Sequence, residues 1–324
     1  MSGIDKRVLG RTGIEVTEFG LGTWPLAVPG KGLNYGGVDE DKAIDVLKTY
    51  VDGGGNFIDS ARGYNDVESI IGKYLKQAGG RDQLILTSKT QGGEVPETMD
   101  DMESDLNATL TSLGTDYVDL YFLHKPPEEP EQIERALDQM QAFKKAGKIR
   151  YIGASIKGPN VTAETQSLCD VYIESGQIDA IQVVYNILRQ RNLSAIERAQ
   201  NNNIGVVVRT VLESGFLTGA YAPGHNFSGD DHRSRYDHEK LQAALRTVEE
   251  ISGIAIHPPY RNLPQVAIHF VLRVPGLSCI IMGAQTPEEV KMNLSSLDLP
   301  PLPSDLVADL RGKYGGITEQ VNFE

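Results

Sequence analysis

The chain is short of cysteine, of positive charge and of long apolar runs, and each shortage removes a class of function. Only Cys169 and Cys279 occur among 324 residues. With no CxxC and no Cys/His cluster, no metal site is expected. So few thiols suit a reducing cytoplasm, and the sequence leaves a bond between the two open. Lys and Arg number 31 against 44 Asp and Glu, a net charge of −13. A chain this acidic repels nucleic acid and anionic membrane surfaces, so neither is an expected partner. An anionic ligand must then be held by a local site. No apolar stretch approaches the roughly 18 residues of a membrane span. The first residues, MSGIDKRVLGRTG, are charged and lack the apolar core of a signal peptide, so the expected location is cytoplasmic.

What is present is a globular composition, 40% hydrophobic and 23% charged. No linker or low-complexity segment interrupts it, so one domain over residues 1–324 is expected. RVLGRTGIEVTEFG reads as two short strands around Thr12-Gly13, a β-hairpin. Eight strands follow: 18–24, 56–59, 84–89, 117–124, 149–155, 180–186, 204–210 and 277–283. Between or after them, apolar residues at helical spacing predict helices over 42–52, 67–77, 99–113, 133–146, 162–175, 193–201, 240–252, 264–274 and 287–296. Strand and helix in alternation argue for a parallel sheet, and eight strands are the number that closes a (β/α)8 TIM barrel. An open doubly wound sheet is the rival. It calls for a glycine-rich fingerprint after the first strand, and GTWPLAVPGKGLNYGG has no GxGxxG.

In a barrel the residues just past each strand share one rim. NFIDSARGY puts Asp59 at a strand end and Tyr64 five residues on. On this stretch alone, a strand running into a helix cap explains both. LILTSK brings Lys89 to the next strand end, and YVDLYFLH brings His124 to the one after. A buried lysine needs an acid, and Asp59 is the obvious one. That pair by itself is as well explained by sealing of the barrel rim. Adding a phenol and an imidazole changes the balance. A phenol gives up its proton reluctantly at neutral pH, and a nearby ammonium stabilises the phenolate. The set therefore suits proton delivery to a carbonyl oxygen while hydride arrives at carbon. Side chains supply no hydride, so a nicotinamide cofactor is implied. Ser155 and Gln182 are candidates for its carboxamide and Tyr185 for stacking on its ring, though each taken alone fits an ordinary strand-end or core role. Leu212 to Gly219, LESGFLTG, offers amides to a pyrophosphate. GAQTPEEVKMN leads into a helix whose N-terminus favours a phosphate.

Over nearly its whole length the chain resembles the aldo-keto reductases, most specifically in the opening hairpin, FIDSARGY, LTSK and DLYFLH, in that order and spacing. Within the family it is most similar to members acting on sugars, sugar alcohols or small aldehydes. The resemblance implies NADP(H) or NAD(H) bound across the rim without a Rossmann fold. It implies Tyr64 as general acid/base, Asp59 and Lys89 as the pair tuning it, and His124 as the group orienting the carbonyl. It implies Ser155 and Gln182 on the carboxamide, Leu212, Ser214, Gly215 and Leu217 around the pyrophosphate, and Gly283, Gln285, Glu289 and Asn293 near the adenosine.

Four departures from the family pattern stand out. Ile156 replaces the usual Asn, Lys125 follows the histidine where many members have Trp, and Arg209 sits where an aromatic ring usually stacks on nicotinamide. Gln285 and Glu289 stand where many members carry a basic residue for the 2′-phosphate. Losing such a contact costs on the order of 1.5–3 kcal/mol, so NAD is expected to serve as well as, or instead of, NADP. Two other functions share these residues: a redox-sensing subunit holding a nicotinamide cofactor in the same barrel, and a lyase with Lys89 as Schiff-base nucleophile. Substrate choice is expected to lie in the loops 25–37, 92–98 and 222–236. The third carries Arg233 and Arg235, which suit an anionic group or simple solvation. The short tail after Lys313 suggests an open site.

Overall fold

The computed structural model describes residues 4–28, 35–91, 99–156, 163–227, 229 and 231–316. The loop 92–98, most of the tail after Lys313, parts of the other two rim loops and the side chain of Arg235 lie outside them. Strands β1 (Lys6–Val8) and β2 (Glu15–Thr17) pair antiparallel around Gly13, whose φ of 72° suits the turn. Then come β3 (Phe19–Gly22), α1 (Glu40–Asp52), β4 (Phe57–Asp59), α2 (Val67–Ala78), β5 (Ile85–Lys89), α3 (Met99–Leu113), β6 (Val118–His124) and α4 (Pro130–Lys145). The second half runs β7 (Ile149–Ser155), α5 (Ala163–Glu174), β8 (Ala180–Val184), α6 (Leu193–Asn201), β9 (Gly205–Arg209), α7 (His238–Ala255), α8 (Leu263–Leu272), β10 (Cys279–Gly283), α9 (Pro287–Ser296) and α10 (Ser304–Tyr314). Strands β3 to β10 close into a barrel, every neighbouring pair parallel. The expected hairpin and (β/α)8 barrel are both present.

The helices form where the sequence gives them one apolar face. In α1 the buried residues are Ala43, Val46, Leu47 and Tyr50, one stripe at helical spacing. Tyr50 also ties the helix to the barrel. Its hydroxyl lies 2.8 and 3.0 Å from the carbonyls of Phe19 and Phe57, which share its one proton, and accepts from the Phe57 amide at 3.1 Å.

Strand parity sorts the rest. Phe57, Ile85, Leu120, Phe122, Ala180, Val207, Cys279 and Ile281 form one buried cluster inside the barrel, capped by Leu9 and Val16 of the hairpin. The intervening residues pack against the helices. The hairpin thus plugs the N-terminal end, where Arg11 meets Asp179 and the Tyr151 hydroxyl donates to the Thr12 carbonyl at 2.7 Å. Cys169 and Cys279 are both buried and free.

The strand ends differ from expectation in detail. The run 18–24 stops as a strand at Gly22, and Trp24–Leu26 turns as a 3-10 helix. Leu212 to Gly219, expected as open loop, contains a 3-10 segment over Glu213–Thr218. The segment is anchored by a buried ion pair: Arg189 Nε donates to both Glu213 oxygens at 2.8 and 2.9 Å, and Asn186 Nδ2 to Oε2 at 2.6 Å. Removing one partner leaves a buried charge unmatched. Arg189→Met should therefore cost about 3–5 kcal/mol in urea denaturation; a loss below about 1 kcal/mol would show that the pair does not anchor the segment.

Candidate active site

The inward parity of the barrel strands carries the site. Two residues above Phe57 on the same face is Asp59; above Ile85 come Thr87 and Lys89; above Phe122, His124; above Ala180, Gln182; above Val207, Arg209. Register aligns them in one layer at the C-terminal rim, with Asp59 opposite Thr87, His124 opposite Ser155 and Ser155 opposite Gln182. Lys89 and Asp59 are buried within it.

The ammonium of Lys89 donates to Asp59 Oδ1 and Oδ2 at 2.9 and 2.7 Å and to the Ser60 carbonyl at 2.7 Å. Three short contacts match its three protons. Asp59 Oδ1 also accepts from Thr87 Oγ1 at 3.0 Å and from Gln182 Nε2 at 2.9 Å, and Ser155 Oγ donates to Gln182 Oε1 at 2.9 Å. The charge of each partner is thus matched, which a buried pair requires. Tyr64 lies on the loop after β4, half-buried. Its hydroxyl oxygen is 3.5 Å from Lys89 Nζ, and the ammonium stands 5.0 Å from its ring centre. The loop is held beneath it: the Arg62 amide donates to the Lys89 carbonyl at 3.1 Å, and the Arg62 guanidinium reaches buried Glu68 at 2.7 Å.

The His124 ring meets that of Tyr64 edge to face, 6.1 Å between centres. Its Nδ1 is buried without a partner among the described residues. Burial first, then the charges of Lys89, Arg209 and Lys125, push this imidazole down to about 3, so it is neutral at physiological pH.

A cavity of about 950 Å³ opens on this layer. Asp59, Tyr64 and Arg209 line one end, Gly283, Gln285, Glu289 and Asn293 the other, and Leu212, Ser214 and Gly215 the wall between. Glu213, Ser214 and Gly215 have φ of 46°, 53° and 92°, a left-handed run that costs energy at its two non-glycine residues. The amides of Glu213, Gly215 and Leu217 donate inside the segment, to Thr210, Leu212 and Leu212 carbonyls, so these amides do not face the cavity as the sequence suggested. At the far end, Thr286 Oγ1 accepts from the Glu289 amide at 3.1 Å, and the Glu289 carboxylate accepts from the Gln285 amide at 2.7 Å. The start of α9 is thus capped by its own side chains. Asn293 Oδ1 is buried and unpartnered among the described residues.

Four expected contacts are not at the cavity wall. Tyr185 is fully buried and stacked on Phe270, ring centres 5.9 Å apart and planes 8° from parallel. Leu217 is fully buried in the core. Ser155 and Gln182 sit beneath the cavity, engaged with each other and with Asp59. Arg233 is neither solvated nor free for an anion: it pairs with Asp231 at 2.6 Å, donates to the Ser214 carbonyl at 2.7 Å and lies over the Tyr35, Tyr221 and Phe227 rings. Sequence reading missed Thr87, whose inward position two residues before Lys89 was legible, and the Trp24, Tyr35 and Tyr221 wall, which no local pattern marks.

A closed barrel with a phenol, an ammonium and a carboxylate converging beside a long rim cavity defines an oxidoreductase of the barrel type, built for carbonyl chemistry. The chain belongs to the aldo/keto reductase family, whose model matches residues 18–314. It is 30% identical over 297 residues to the aldo-keto reductase YhdN of Bacillus subtilis, covering 86% of this chain and 85% of that one. It is 29% identical over 317 residues to the NADH-specific methylglyoxal reductase of Escherichia coli, covering 90% and 93%. Among solved structures, the holo form of aldo-keto reductase AKR11C1 from Bacillus halodurans superposes with a TM-score of 0.74 at 26% identity, covering 95% and 96% of the two chains. The chain is therefore an NAD(H)- or NADP(H)-dependent enzyme interconverting an aldehyde or ketone and an alcohol. The cavity fits such a cofactor: its volume is near the upper end for ligand sites, and the orphaned Asn293 oxygen calls for a donor such as an exocyclic amine.

Because burial holds His124 below its ordinary value, its contribution to stability is complete above about pH 6.5 and is lost as the pH falls through that value toward 3. Its ring resonances should show the neutral form from about pH 8 down to about pH 5, and a titration with a midpoint near 6.5 would contradict the buried, cation-flanked setting.

Proposed function

We propose that Tyr64 is the proton donor in carbonyl reduction and the acceptor in the reverse direction. Lys89, fixed by Asp59, holds a positive charge beside the Tyr64 oxygen and stabilises the phenolate left after the proton departs. His124 stays neutral and directs the carbonyl oxygen toward Tyr64. Bound nicotinamide supplies the hydride. The observation that carries this reading is the 3.5 Å approach of Lys89 Nζ to the Tyr64 hydroxyl, at a cavity end where Lys89's three protons are already committed. The ammonium is then a fixed charge rather than a nucleophile, which speaks against a Schiff base. Ser155 and Gln182, bonded to each other and to Asp59 beneath the cavity, set the Asp59 carboxylate and so act through the pair.

The adenosine end favours NAD(H). The Glu289 carboxylate occupies the Gln285 amide just before α9, and a 2′-phosphate there would meet a like charge and compete for that amide. Asn293 would take the adenine edge and Ser214 the pyrophosphate, while Gly215, its amide bonded to the Leu212 carbonyl, would shape the wall. The substrate reading is a small aldehyde, ketone or open-chain sugar, in keeping with the methylglyoxal chemistry named for the Escherichia coli relative. A cytoplasmic location is in keeping with the two free, buried cysteines, and among the described residues no helix is long and apolar enough to cross a membrane.

Tyr64→Phe should lower kcat by at least about a thousandfold while leaving cofactor binding within about threefold, because it removes the proton and keeps the ring. Near-native turnover would refute the assignment. The KM for NADPH should exceed that for NADH by about ten- to a hundredfold. A preference for NADPH would show that Glu289 does not govern that end.

A further inference from the structure

Arg209 is the charge the proposed reaction leaves unexplained. It closes β9, points inward above Val207 and lines the cavity with Asp59 and Tyr64. One guanidinium nitrogen donates to the Ile156 carbonyl at 3.0 Å. Among the described residues no carboxylate pairs with it. Asp59 has both oxygens on Lys89, and Glu213, the other nearby acid, has both on Arg189. Burial lowers its pKa from the ordinary value, yet an arginine keeps its proton in a protein. His124 is neutral. Lys89 and Asp59 cancel, and Lys125 is exposed and off the cavity wall, so among the described residues Arg209 is the one uncompensated positive charge lining this end of the cavity.

We infer that Arg209 sets the redox preference of the site, its unmatched guanidinium beside Tyr64 making the enzyme bind the neutral, reduced nicotinamide more tightly than the positively charged, oxidised one. The inference rests on the reading of Tyr64 given above. A hydride donor must touch the carbon of a carbonyl whose oxygen is hydrogen-bonded to Tyr64, so the nicotinamide ring belongs at the Tyr64–Arg209 end. Loss of hydride, two electrons and one proton, takes that ring from neutral to one positive charge. The phosphates carry the same charge in both states and drop out of the comparison. In the binary complex Tyr64 is still a phenol, so the ring's new charge is the change that Arg209 meets. Two unit charges a few ångströms apart behind an effective dielectric of about 20 change affinity by roughly tenfold or more. Such a site holds its oxidised product loosely and favours reduction of the carbonyl over oxidation of the alcohol.

The test is equilibrium titration of the whole chain with NADH and with NAD+, by calorimetry or by quenching of protein fluorescence, without substrate. Wild type should bind NADH more tightly. Arg209→Met should shrink the ratio of the two dissociation constants about tenfold, mainly by strengthening NAD+ binding, and Arg209→Lys should restore it. An unchanged ratio in Arg209→Met overturns the inference, as does an equal loss of both affinities, which would make Arg209 a scaffold for the pocket. A ratio unchanged while the KM of carboxylate-bearing substrates alone rises would assign the charge to an anionic substrate instead. If wild type binds neither form, the nicotinamide reading fails as well, so the two failures are told apart.

Discussion

The rim of this barrel is organised by one buried ion pair. Taking an ammonium and a carboxylate out of water is costly, and the cost is recovered only if every proton and lone pair finds a partner. Lys89 spends its three protons on Asp59 and the Ser60 carbonyl. Asp59 is further held by Thr87 and Gln182, and Gln182 by Ser155. The network spans β4, β5, β7 and β8, so the positions of four strand ends are fixed by one charge-matching requirement. Tyr64 then stands over the ammonium on a loop whose own exit is clamped by the Arg62–Glu68 pair. The phenol is placed by structure that would form for electrostatic reasons whether or not a reaction followed. The hydroxyl groups of Ser88 and Thr109 complete the coordination of Glu68 on the outer face, at 2.7 and 2.8 Å.

Much of this was legible in the sequence, and the reason is periodicity. Eight apolar runs alternating with helical stripes gave the barrel, and the polar residue ending each run gave the layer. Asp59, Lys89 and His124 fall on the inward face because Phe57, Ile85 and Phe122 do. The same rule, applied strictly, would have excluded Tyr185. It lies an odd number of residues from inward-facing Gln182, hence on the opposite face, and there it stacks on Phe270. Helix α10 went unread because only Val307, Leu310 and Tyr314 form its buried stripe, too few to rise above the prolines before it. The inner wall built from Trp24, Tyr35 and the Asp231–Arg233 clasp was beyond local reading altogether. It joins segments some 200 residues apart, and nothing in either segment announces the other. The capping role of Glu289 was half visible: TPEE is a capping sequence, but its meaning for the cofactor needed the carboxylate's contact with the Gln285 amide.

The charges along the cavity are unevenly distributed. One end holds the neutralised Asp59–Lys89 pair, neutral His124 and an unmatched Arg209; the other holds Glu289 over a helix N-terminus already satisfied by its own side chains. Against an overall charge of −13, affinity for a dinucleotide cannot come from the protein's general field. A local site is needed, and the cavity wall offers an unpartnered Asn293 oxygen and a left-handed segment locked by Arg189 and Glu213. Two of the positions marked in the sequence touch: the Ile156 carbonyl accepts from Arg209 at 3.0 Å.

The central claim is that Tyr64 and Lys89 work as one proton-donating unit. Single-turnover oxidation of bound dihydronicotinamide, followed by its absorbance in Tyr64→Phe, Lys89→Met and the double variant, tests this most directly. If the two act as a unit, the double variant is no slower than Tyr64→Phe alone, because the lysine has no phenolate left to stabilise. Losses that multiply, each substitution taking its full toll in the presence of the other, would contradict the account.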